Sequence, residues 1–398
     1  MDRQMQDAYI VAATRTAVGK APRGAFRSTR PDTLLAHVLK AVLAQVPAID
    51  PNRIEDAIIG CAMPEYEQGM NVARIGVLLA GLPNSVAGMT INRFCSSGLN
   101  AVSIAADRIR TGEADIMIAG GTESMSMIPM LGRLALNEAV FEHGENVGIA
   151  YGMGLTAEKV ATQWKVSRDE QDAFALQSHQ RALAAQAGGE FATEVSPITI
   201  DESVPDLAAD RIVKRSKVFE RDEGPRADTT AEGLAKLRPV FAARGSVTAG
   251  NSSQMSDGAG ASILVSERVL RELNLAPLAR WVGYAVAGVP PEIMGIGPIA
   301  AIPKVLQTTG IRQDQLDWIE LNEAFAAQAI AVMRELQLDP AKVNPLGGAI
   351  ALGHPLGATG AIRTATITHA LRRRRLKYGM VSMCVGTGMG AAGIFEAM

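Results

Sequence analysis

The sequence predicts an α/β fold made of two similar halves with an inserted domain between them. Three observations carry this prediction: apolar strand-like runs alternate with Ala-rich helical stretches, the N- and C-terminal parts share a pattern, and the middle of the chain differs from both. At 398 residues the chain is also longer than one ordinary core organises, so more than one packed unit is expected.

The alternation is clearest near the N-terminus. A strand-like run over residues 8–13 precedes a helical stretch over 33–43, and a run over 57–60 precedes a stretch over 72–80. This order is typical of a mostly parallel sheet with helices on its faces. Hydrophobic residues make up 47% and charged residues 20% of the chain, which fits a compact protein rather than a disordered one.

Two segments, 92–126 and 344–390, resemble each other. Each begins with Asn, continues through a turn rich in Gly or Ser, and then has a helical stretch that leads by a glycine into a strand. The predicted strands cover 115–119 and 380–385, and glycines follow both. This weak repeat suggests two similarly folded halves, with chemistry supplied by turns from both.

Residues from about 125 to 248 form the predicted insertion. They contain a helix over 167–186 with a capping box in Ser167 and Glu170 and a stop signal in Gly188. The surrounding residues are Gly- and Met-rich or strongly polar. We interpret the insertion as a cap or loop domain.

Charge and composition exclude several classes of partner. The formal charge is -2 with both signs scattered, so no global field attracts nucleic acid. No apolar run reaches the roughly 18 residues of a membrane span, and the N-terminus lacks the pattern of a cleaved leader. Three widely spaced cysteines suit a reducing compartment. We expect a cytoplasmic protein without a membrane span or a nucleic-acid partner.

Cys95 is the first candidate for catalysis. It lies in FCSSG, just before a helix predicted over 100–110, and a helix N-terminus lowers the pKa of a thiol. The small neighbours Ser96, Ser97 and Gly98 would leave room for a substrate and for backbone N–H donors. A buried structural cysteine is the alternative, and for an isolated cysteine it is the commoner case.

His354 is the histidine best placed to accept a thiol proton. It lies in GGAIALGHPLGATG, residues 347–360, where five glycines frame a tight turn ahead of a helix. His179 and His369 fall within predicted helices, and His143 falls in a polar loop. We interpret His179 and His369 as surface or packing residues, and we assign no function to any of the three.

Cys384 ends a strand and precedes VGTGMG, whose backbone N–H groups could face a developing oxyanion. A second thiol there could act as acid and base. The glycine run could instead cradle a phosphate, but only eight residues follow Gly390, too few for the helix and strand of a dinucleotide site.

Two polar segments have open interpretations. Asn322 follows a strand predicted over 317–321, where its side chain could be oriented for hydrogen bonding or could cap a helix. The segment GNSSQMSDGA, residues 250–259, could bind an extended ligand or form an ordinary surface turn.

Taken together, FCSSGLNA around Cys95, NEAFAAQ from Asn322, GGAIALGHPLGATG around His354 and MCVGTGMG around Cys384 resemble the thiolase family in content and order. The resemblance extends through GMGLTAEKVA, GLAKLRPVF and TAGNSSQMSDGA to nearly the whole chain. It implies the thiolase fold, two duplicated five-layered αβαβα-type halves with an inserted loop domain that receives coenzyme A. The halves would be residues 1–124 completed by 248–272, and 273–398, with the loop domain at 125–247.

The resemblance also implies a mechanism. Cys95 attacks the 3-keto carbon of a 3-ketoacyl-CoA after His354 takes its proton, and Cys384 protonates the departing acetyl-CoA enolate. Coenzyme A, deprotonated by Cys384, then releases the acyl group in a ping-pong cycle. His354 with a water held by Asn322 would stabilise the enolate, and the N–H groups of Cys95 and Gly386 the tetrahedral intermediate.

For the ligand, Ser253 matches a family serine at the pantetheine arm, and Arg226 matches an arginine near the nucleotide of coenzyme A. Coenzyme A would be a substrate, and no tightly bound cofactor or metal is implied. Family members normally form homodimers or homotetramers. A multienzyme β-oxidation partner is left open by the sequence.

Several features resemble the degradative branch. Biosynthetic members tend to have a His where this chain has Gly152, and CIGGGMG where it has CVGTGMG. The segments GVPPEIMGIGP and DEGPRADTT resemble peroxisomal-type 3-ketoacyl-CoA thiolases (acetyl-CoA acyltransferases). We therefore expect a broad-chain thiolase of fatty-acid β-oxidation, with an acetyl-CoA acetyltransferase as the alternative. A ketoacyl-synthase-type enzyme or an inert lipid-binding member is disfavoured by the presence of Cys95, His354 and Cys384.

Overall fold

The computed structural model describes residues 5–130 and 135–398, so residues 1–4 and 131–134 of the predicted ranges lie outside the described residues. The strands are β1 (Ala8–Arg15), β2 (Gly19–Lys20), β3 (Asp56–Gly60), β4 (Ala87–Ile91), β5 (Ile116–Ser124), β6 (Ile198–Asp206), β7 (Arg211–Phe219), β8 (Ser256–Ser266), β9 (Ala279–Gly288), β10 (Leu316–Leu321), β11 (Tyr378–Val385) and β12 (Met389–Ala397). The helices are α1 (Pro31–Ala44), α2 (Val72–Leu79), α3 (Ser97–Arg110), α4 (Met153–Gln163), α5 (Arg168–Ala187), α6 (Ala231–Ala235), α7 (Glu267–Glu272), α8 (Gly297–Thr309), α9 (Ala326–Glu335), α10 (Ala349–Leu352) and α11 (Leu356–Arg374).

One large sheet has the strand order β10-β11-β12-β9-β1-β8-β5-β3-β4, with β2 beside β8. The predicted α/β class is confirmed, but the prediction of a mostly parallel sheet is wrong. Among the described strands, β3 pairs parallel with β4 and β5, and β10 with β11, whereas the pairings in the middle of the sheet are antiparallel. Local alternation predicts strand–helix–strand crossovers. It does not predict the antiparallel pairings of β8, which enters the sheet after the insertion, or of β12, which forms a hairpin with β11.

The predicted duplication appears in the strand order. The series β1-β8-β5-β3-β4 is repeated as β9-β12-β11-β10, and an isolated parallel bridge from Ile319 to Val343 stands where β4 would be. The two series meet where β1 pairs with β9 at Tyr9 and Ile10. The weak sequence repeat therefore reflects a repeated topology.

Helices α3 and α11 form a middle layer that packs on strands of both series. Their buried residues join one core that includes Leu99, Val102, Ile367, Leu371 and Trp281. Helices α1 and α2 cover the outer face of the first series, and α8 and α9 that of the second. The order helix–sheet–helix–sheet–helix gives five layers.

Glycines let α3 and α11 touch through their backbones. A Cβ on Gly98 would lie 2.5 Å from the Ala361 nitrogen, and one on Gly360 would lie 2.1 Å from the Leu99 nitrogen. The interpretation that Gly98 makes room for a substrate is therefore wrong, because its missing side chain accommodates a helix. This crossing brings the beginnings of α3 and α11 together, with Cys95 just before one and His354 just before the other.

Between β5 and β8 lie α4, α5, the hairpin β6–β7 and α6. Helix α5 confirms the predicted capping box: Ser167 Oγ accepts from the Glu170 N–H at 3.3 Å, and the Glu170 carboxylate accepts from the Ser167 N–H at 2.8 Å. None of the helices within residues 5–130 and 135–398 combines the length and the hydropathy that a bilayer-spanning segment needs.

Candidate active site

Polar side chains build the turn that presents Cys95. Asn92 Oδ1 accepts from the Phe94 N–H at 2.8 Å. Ser97 Oγ accepts from the Arg93 N–H at 2.8 Å and donates to the Phe94 carbonyl at 2.7 Å. Phe94 itself has a left-handed backbone, with φ 43°, a conformation that costs energy and is common at functional sites. The turn is therefore held by its own side chains, with Cys95 at its centre.

The Cys95 thiol is 9% exposed. Burial raises its pKa to about 11, while hydrogen bonds from the backbone N–H groups of Gly386 and of Cys95 itself act in the opposite direction. The sequence predicted that the helix N-terminus lowers the pKa of Cys95. That prediction is wrong, because the effect of desolvation is larger than that of the backbone donors. The thiol is protonated at neutral pH and needs a base.

The turn between β11 and β12 brings Gly386 to Cys95. Two of its residues have left-handed backbones, Thr387 with φ 68° and Gly388 with φ 89°. A Cβ on Gly388 would also lie 2.3 Å from the Val289 carbonyl oxygen, so this position requires glycine. In this tight turn the Gly386 N–H forms a hydrogen bond with the Cys95 sulfur. The glycine-rich motif after Cys384 predicted an oxyanion donor at this position.

His354 is buried and is held at three points. Its Nδ1 lies 2.6 Å from Thr359 Oγ1, which itself donates to the Pro355 carbonyl at 3.1 Å. Because the Thr359 hydroxyl gives its own proton to the Pro355 carbonyl, it accepts a hydrogen bond from the Nδ1–H group of His354. The neutral ring then has no proton on Nε2. Asn322 Nδ2 lies 3.3 Å from that Nε2, and the His354 N–H donates to Ser256 Oγ at 3.0 Å.

Burial, and to a lesser degree the Arg363 guanidinium, lowers the pKa of His354 to about 3. The imidazole is therefore neutral and can accept a proton. Among the described contacts no hydrogen bond joins Nε2 to the Cys95 thiol, and Nε2 is instead paired with Asn322. Such bonds are often long before a substrate binds.

Asn322 Oδ1 is buried without a hydrogen-bond partner in the described structure. An unpartnered buried acceptor is costly unless a ligand or water satisfies it. The alternative that Asn322 caps a helix does not hold, because the N-cap of α9 is Phe325. Asn322 is oriented for hydrogen bonding, as the other interpretation predicted.

Cys384 lies at the end of β11 and is fully buried. Burial raises its pKa above the ordinary value, and the neighbouring Cys95 raises it further. The Cys95 thiol therefore acts on Cys384 although the two residues come from different halves. A protonated second thiol can donate a proton to a carbanion.

Glu123 is a buried residue that the motifs did not single out. Its carboxylate accepts from the N–H groups of Ala62 at 2.7 Å, Met63 at 3.2 Å and Gly357 at 2.8 Å. Burial raises the pKa of Glu123, whereas the hydrogen bonds from those N–H groups lower it by a smaller amount. Strand β5 was predicted to end at residue 119 but runs to Ser124, which is why Glu123 was overlooked. It ties the loop after β3 to the start of α11.

Thr359 was also missed, although it lies within the motif around His354. We expect Thr359→Val to lower kcat by about tenfold or more, because the variant removes the acceptor that fixes the Nδ1 proton and leaves a buried N–H unpaired. Steady-state kinetics of acyl transfer would measure the loss.

Thr364→Val is the matched control for that substitution. The Thr364 hydroxyl is also buried in α11, but it donates to the Gly360 carbonyl of its own helix at 2.8 Å. Both variants should lose a similar amount of free energy of unfolding, while Thr364→Val keeps its kcat. Equal kcat values for the two variants would remove Thr359 from the site.

A cavity of about 360 Å³ opens beside Cys95 and Gly386. Its described walls are mainly apolar, which suits an alkyl chain better than a polar group. Besides those two residues, it is lined by Ala62, Met63, Pro64, Glu65, Asn92, Phe94, Met130, Leu136, Ile149, Met153, Leu356 and Thr387.

A second cavity, of about 450 Å³, lies beside α5 and α6 and includes Arg226. Arg226 is exposed and forms an ion pair with Asp228 at 3.1 Å. His179 also lines this cavity and is only 5% exposed, so of the two predicted alternatives, a surface or a packing residue, it is the buried one. Ser253 is not among the lining residues; its N–H donates to the Ala324 carbonyl at 2.9 Å, next to Asn322.

The chain is similar to known thiolases over nearly its whole length. The family model described as the N-terminal domain of thiolase matches residues 8–268, and the model of the C-terminal domain matches residues 275–397. The chain is 49% identical over 394 residues to a 3-ketoacyl-CoA thiolase of Bacillus subtilis (strain 168), covering 98% of this chain and 100% of that one. It is 46% identical to the peroxisomal 3-ketoacyl-CoA thiolase A of Mus musculus, covering 98% and 91%.

A solved structure has the same fold. The acetyl-CoA acetyltransferase of Bacillus anthracis superposes with a TM-score of 0.90 at 42% identity, covering 100% of both chains.

Proposed function

The chain belongs to the thiolase family, and from that premise we propose that it is the acyltransferase that cleaves 3-ketoacyl-CoA with coenzyme A into acetyl-CoA and a shortened acyl-CoA. The observation that carries the proposal is the apolar cavity beside Cys95 and Gly386. An acyl chain lying there would have its 3-keto carbon at the thiol. Relatives named 3-ketoacyl-CoA thiolase at 46–49% identity support the same activity.

In the first half-reaction, His354 Nε2 takes the Cys95 proton and the thiolate attacks the 3-keto carbon. The tetrahedral oxyanion accepts hydrogen bonds from the N–H groups of Cys95 and Gly386, which already bond to the sulfur. The bond between C2 and C3 then breaks, and its electron pair forms the acetyl-CoA enolate. Cys384 protonates that enolate, and the acyl group remains as a thioester on Cys95.

In the second half-reaction, Cys384, now a thiolate, takes the proton of incoming coenzyme A. The sulfur of coenzyme A attacks the acyl thioester and Cys95 leaves, recovering its proton from His354. At the end of the cycle both thiols and the imidazole are neutral again, in keeping with the raised pKa values of both cysteines and the lowered pKa of His354. The unpartnered Asn322 Oδ1 supports a role in holding a water that donates to the enolate oxygen.

The cavity should admit long acyl chains. Gly152 immediately precedes Met153, which lines the cavity, and a Cβ on Gly152 would meet no atom within 4 Å. The space that a side chain at 152 would occupy is open. This supports the degradative direction, in fatty-acid β-oxidation, over acetyl-CoA acetyltransferase activity.

We expect kcat/KM for 3-ketohexadecanoyl-CoA to equal or exceed that for acetoacetyl-CoA, because each buried methylene adds about 0.8 kcal/mol of favourable transfer. Gly152→His should reduce the long-chain value about tenfold or more by filling the open space, with little change for acetoacetyl-CoA. A substrate-length series measures both.

Gly144→His is the control, since a Cβ at Gly144 also meets no atom within 4 Å. Unlike Gly152, which is next to the lining residue Met153, Gly144 has no neighbour in the chain that lines the cavity. Its chain-length profile should match that of the unsubstituted enzyme. Strict preference for the four-carbon substrate would contradict the degradative proposal and favour the acetyltransferase.

Residues 125–247 would form the domain that receives coenzyme A, with 1–124 and 248–272 completing one half and 273–398 the other. The location of Arg226 in the second cavity supports this division. The contact of Ser253 with the turn that bears Asn322 supports a role for Ser253 at the pantetheine arm. Coenzyme A acts as a substrate, not as a bound cofactor.

The protein would work as a homodimer or homotetramer in the cytoplasm. Strand β4 is an edge of the large sheet, and such edges readily pair with another chain. Exposed apolar side chains lie on or near it: Met89 on the strand, Leu78 and Leu79 on α2, and Met70, which is 93% exposed. The three cysteines are unpaired, which suits a reducing compartment.

A further inference from the structure

We propose that Glu323 is a positioning residue that holds Asn322 in the orientation in which it stabilises the enolate. The inference rests on the proposed function and deepens it, because it adds a residue outside the reacting groups. It is carried by the hydrogen bonds of one buried carboxylate, which join three segments of the chain at the turn after β10.

The Glu323 carboxylate is 2% exposed and is bonded at both oxygens. Its Oε2 accepts from Ser178 Oγ at 2.6 Å and from the Ile350 N–H at 3.2 Å, and its Oε1 accepts from Asn344 Nδ2 at 2.8 Å. Burial raises the pKa of Glu323, whereas these three donors act in the opposite direction. Because a buried carboxyl group is costly without partners, the three donors fix where it lies.

Asn344 connects this carboxylate to the end of β10. Its Oδ1 accepts from the Leu321 N–H at 2.9 Å, and its Nδ2 donates to the Leu321 carbonyl at 2.7 Å. The Asn322 N–H itself donates to the Ser382 carbonyl of β11 at 2.9 Å. The residues on both sides of Asn322 are therefore held by one amide side chain, Leu321 through its backbone and Glu323 through its carboxylate.

Two glycines of the motif around His354 make room for this arrangement. A Cβ on Gly348 would lie 2.1 Å from Glu323 Cδ, so any larger residue there would displace the carboxylate. Gly347 has a left-handed backbone, with φ 81°, and a Cβ on it would lie 2.7 Å from the Ser178 carbonyl oxygen. The segment before α10 is thus shaped around Glu323 and α5.

The hold affects Asn322 more than His354. His354 keeps its contacts with Thr359 and Ser256, neither of which involves Glu323. The Asn322 side chain has one hydrogen-bond contact in the described structure, from Nδ2 to His354 Nε2, and its Oδ1 has none. Its orientation therefore depends on the backbone of the turn. Loss of Glu323 should weaken stabilisation of the enolate and leave activation of the thiol intact.

Two reactions of the same enzyme separate these effects. Cleavage of 3-ketoacyl-CoA passes through the enolate, whereas transfer of isotopically labelled coenzyme A into butanoyl-CoA passes only through acyl-Cys95. Glu323→Gln keeps the size of the side chain but places an NH₂ group against one of the donors. We expect it to lower kcat for cleavage about tenfold and to leave the exchange rate within about twofold of the unsubstituted enzyme.

A double-mutant cycle with Asn322→Ala tests whether Glu323 acts through Asn322. Adding Glu323→Gln to Asn322→Ala should then change cleavage by less than about twofold, because both substitutions remove the same interaction. Ser178→Ala removes one of the three donors and should act in the same direction by a smaller factor, so it replaces Glu323→Gln in the cycle should that variant not fold. Additive losses, or an equal fall in cleavage and exchange, would overturn the assignment.

Glu158→Gln is the matched control. The Glu158 carboxylate also holds a loop, by accepting from the Ser246 N–H and the Val247 N–H, each at 2.9 Å, and none of its described hydrogen bonds reaches the turn after β10. The variant should lose a comparable free energy of unfolding and keep both rates. An unsubstituted enzyme that exchanges coenzyme A but cleaves no 3-ketoacyl-CoA would refute the proposed function together with this inference.

Discussion

Cys95→Ser should lower kcat for thiolysis by at least about 10³-fold, an order typical of losing a nucleophile. A serine hydroxyl is far less acidic than a thiol, and a neutral imidazole cannot activate it as readily. Because sulfur is replaced by oxygen in a small buried side chain, the free energy of unfolding should change little. Loss of 3-ketoacyl-CoA absorbance measures the rate, and intact-protein mass spectrometry should detect no acyl-enzyme.

Cys61→Ser is the matched control. Cys61 is also a buried free thiol, and its Sγ lies 3.9 Å from Glu123 Oε1, but it does not line the cavity beside Cys95. Its kcat should stay within a few-fold of the unsubstituted enzyme, since serine can donate to the same carboxylate. Full activity in Cys95→Ser, or an equal loss in Cys61→Ser, would refute the nucleophile assignment.

Cys384→Ser should separate the two half-reactions. We expect turnover to fall by about 10³-fold, within the range of a lost general acid and base. Attack by Cys95 does not require the second thiol, so acyl-enzyme should still form slowly from 3-ketoacyl-CoA. It should accumulate, because coenzyme A is no longer deprotonated. Mass spectrometry of the protein after mixing, with and without added coenzyme A, measures this accumulation.

Ser382→Ala provides a comparison on the same strand. The Ser382 hydroxyl is buried and donates to the Ala391 carbonyl at 2.9 Å, so its loss should reduce the free energy of unfolding by about 1 kcal/mol without affecting kcat. A Cys384→Ser enzyme with normal turnover would show that another group transfers the proton. If it never becomes acylated, Cys384 would be needed before the carbon–carbon bond breaks.

The sequence predicted the elements that carry the chemistry because their signals are local. The capping box at Ser167 fixes the start of α5, and strand β11 ends at Val385, as the apolar run and the following glycines indicated. Cys95 and His354 lie just before α3 and α11, and Asn322 lies just after β10, so their motifs located them. The local alternation of strand-like and helical runs also predicted the α/β class.

What the sequence could not predict depends on contacts between distant segments. The antiparallel pairing of β1 with β8 joins parts of the chain on either side of the insertion, and no periodicity encodes it. The raised pKa of Cys95 follows from burial by both halves, not from the adjacent helix. His179 was placed in a helix correctly, but its contact with the Arg226 N–H depends on how the insertion folds back.

The shared middle layer has a consequence for synthesis of the protein. Helix α3 packs on strands of both halves, so a nascent chain that ends before residue 354, and therefore lacks α11, exposes the apolar face of α3. Such a chain already carries Cys95 but has neither His354 nor Cys384. The nucleophile therefore meets its base only when the last segment docks, and an incomplete polypeptide cannot become acylated by this route.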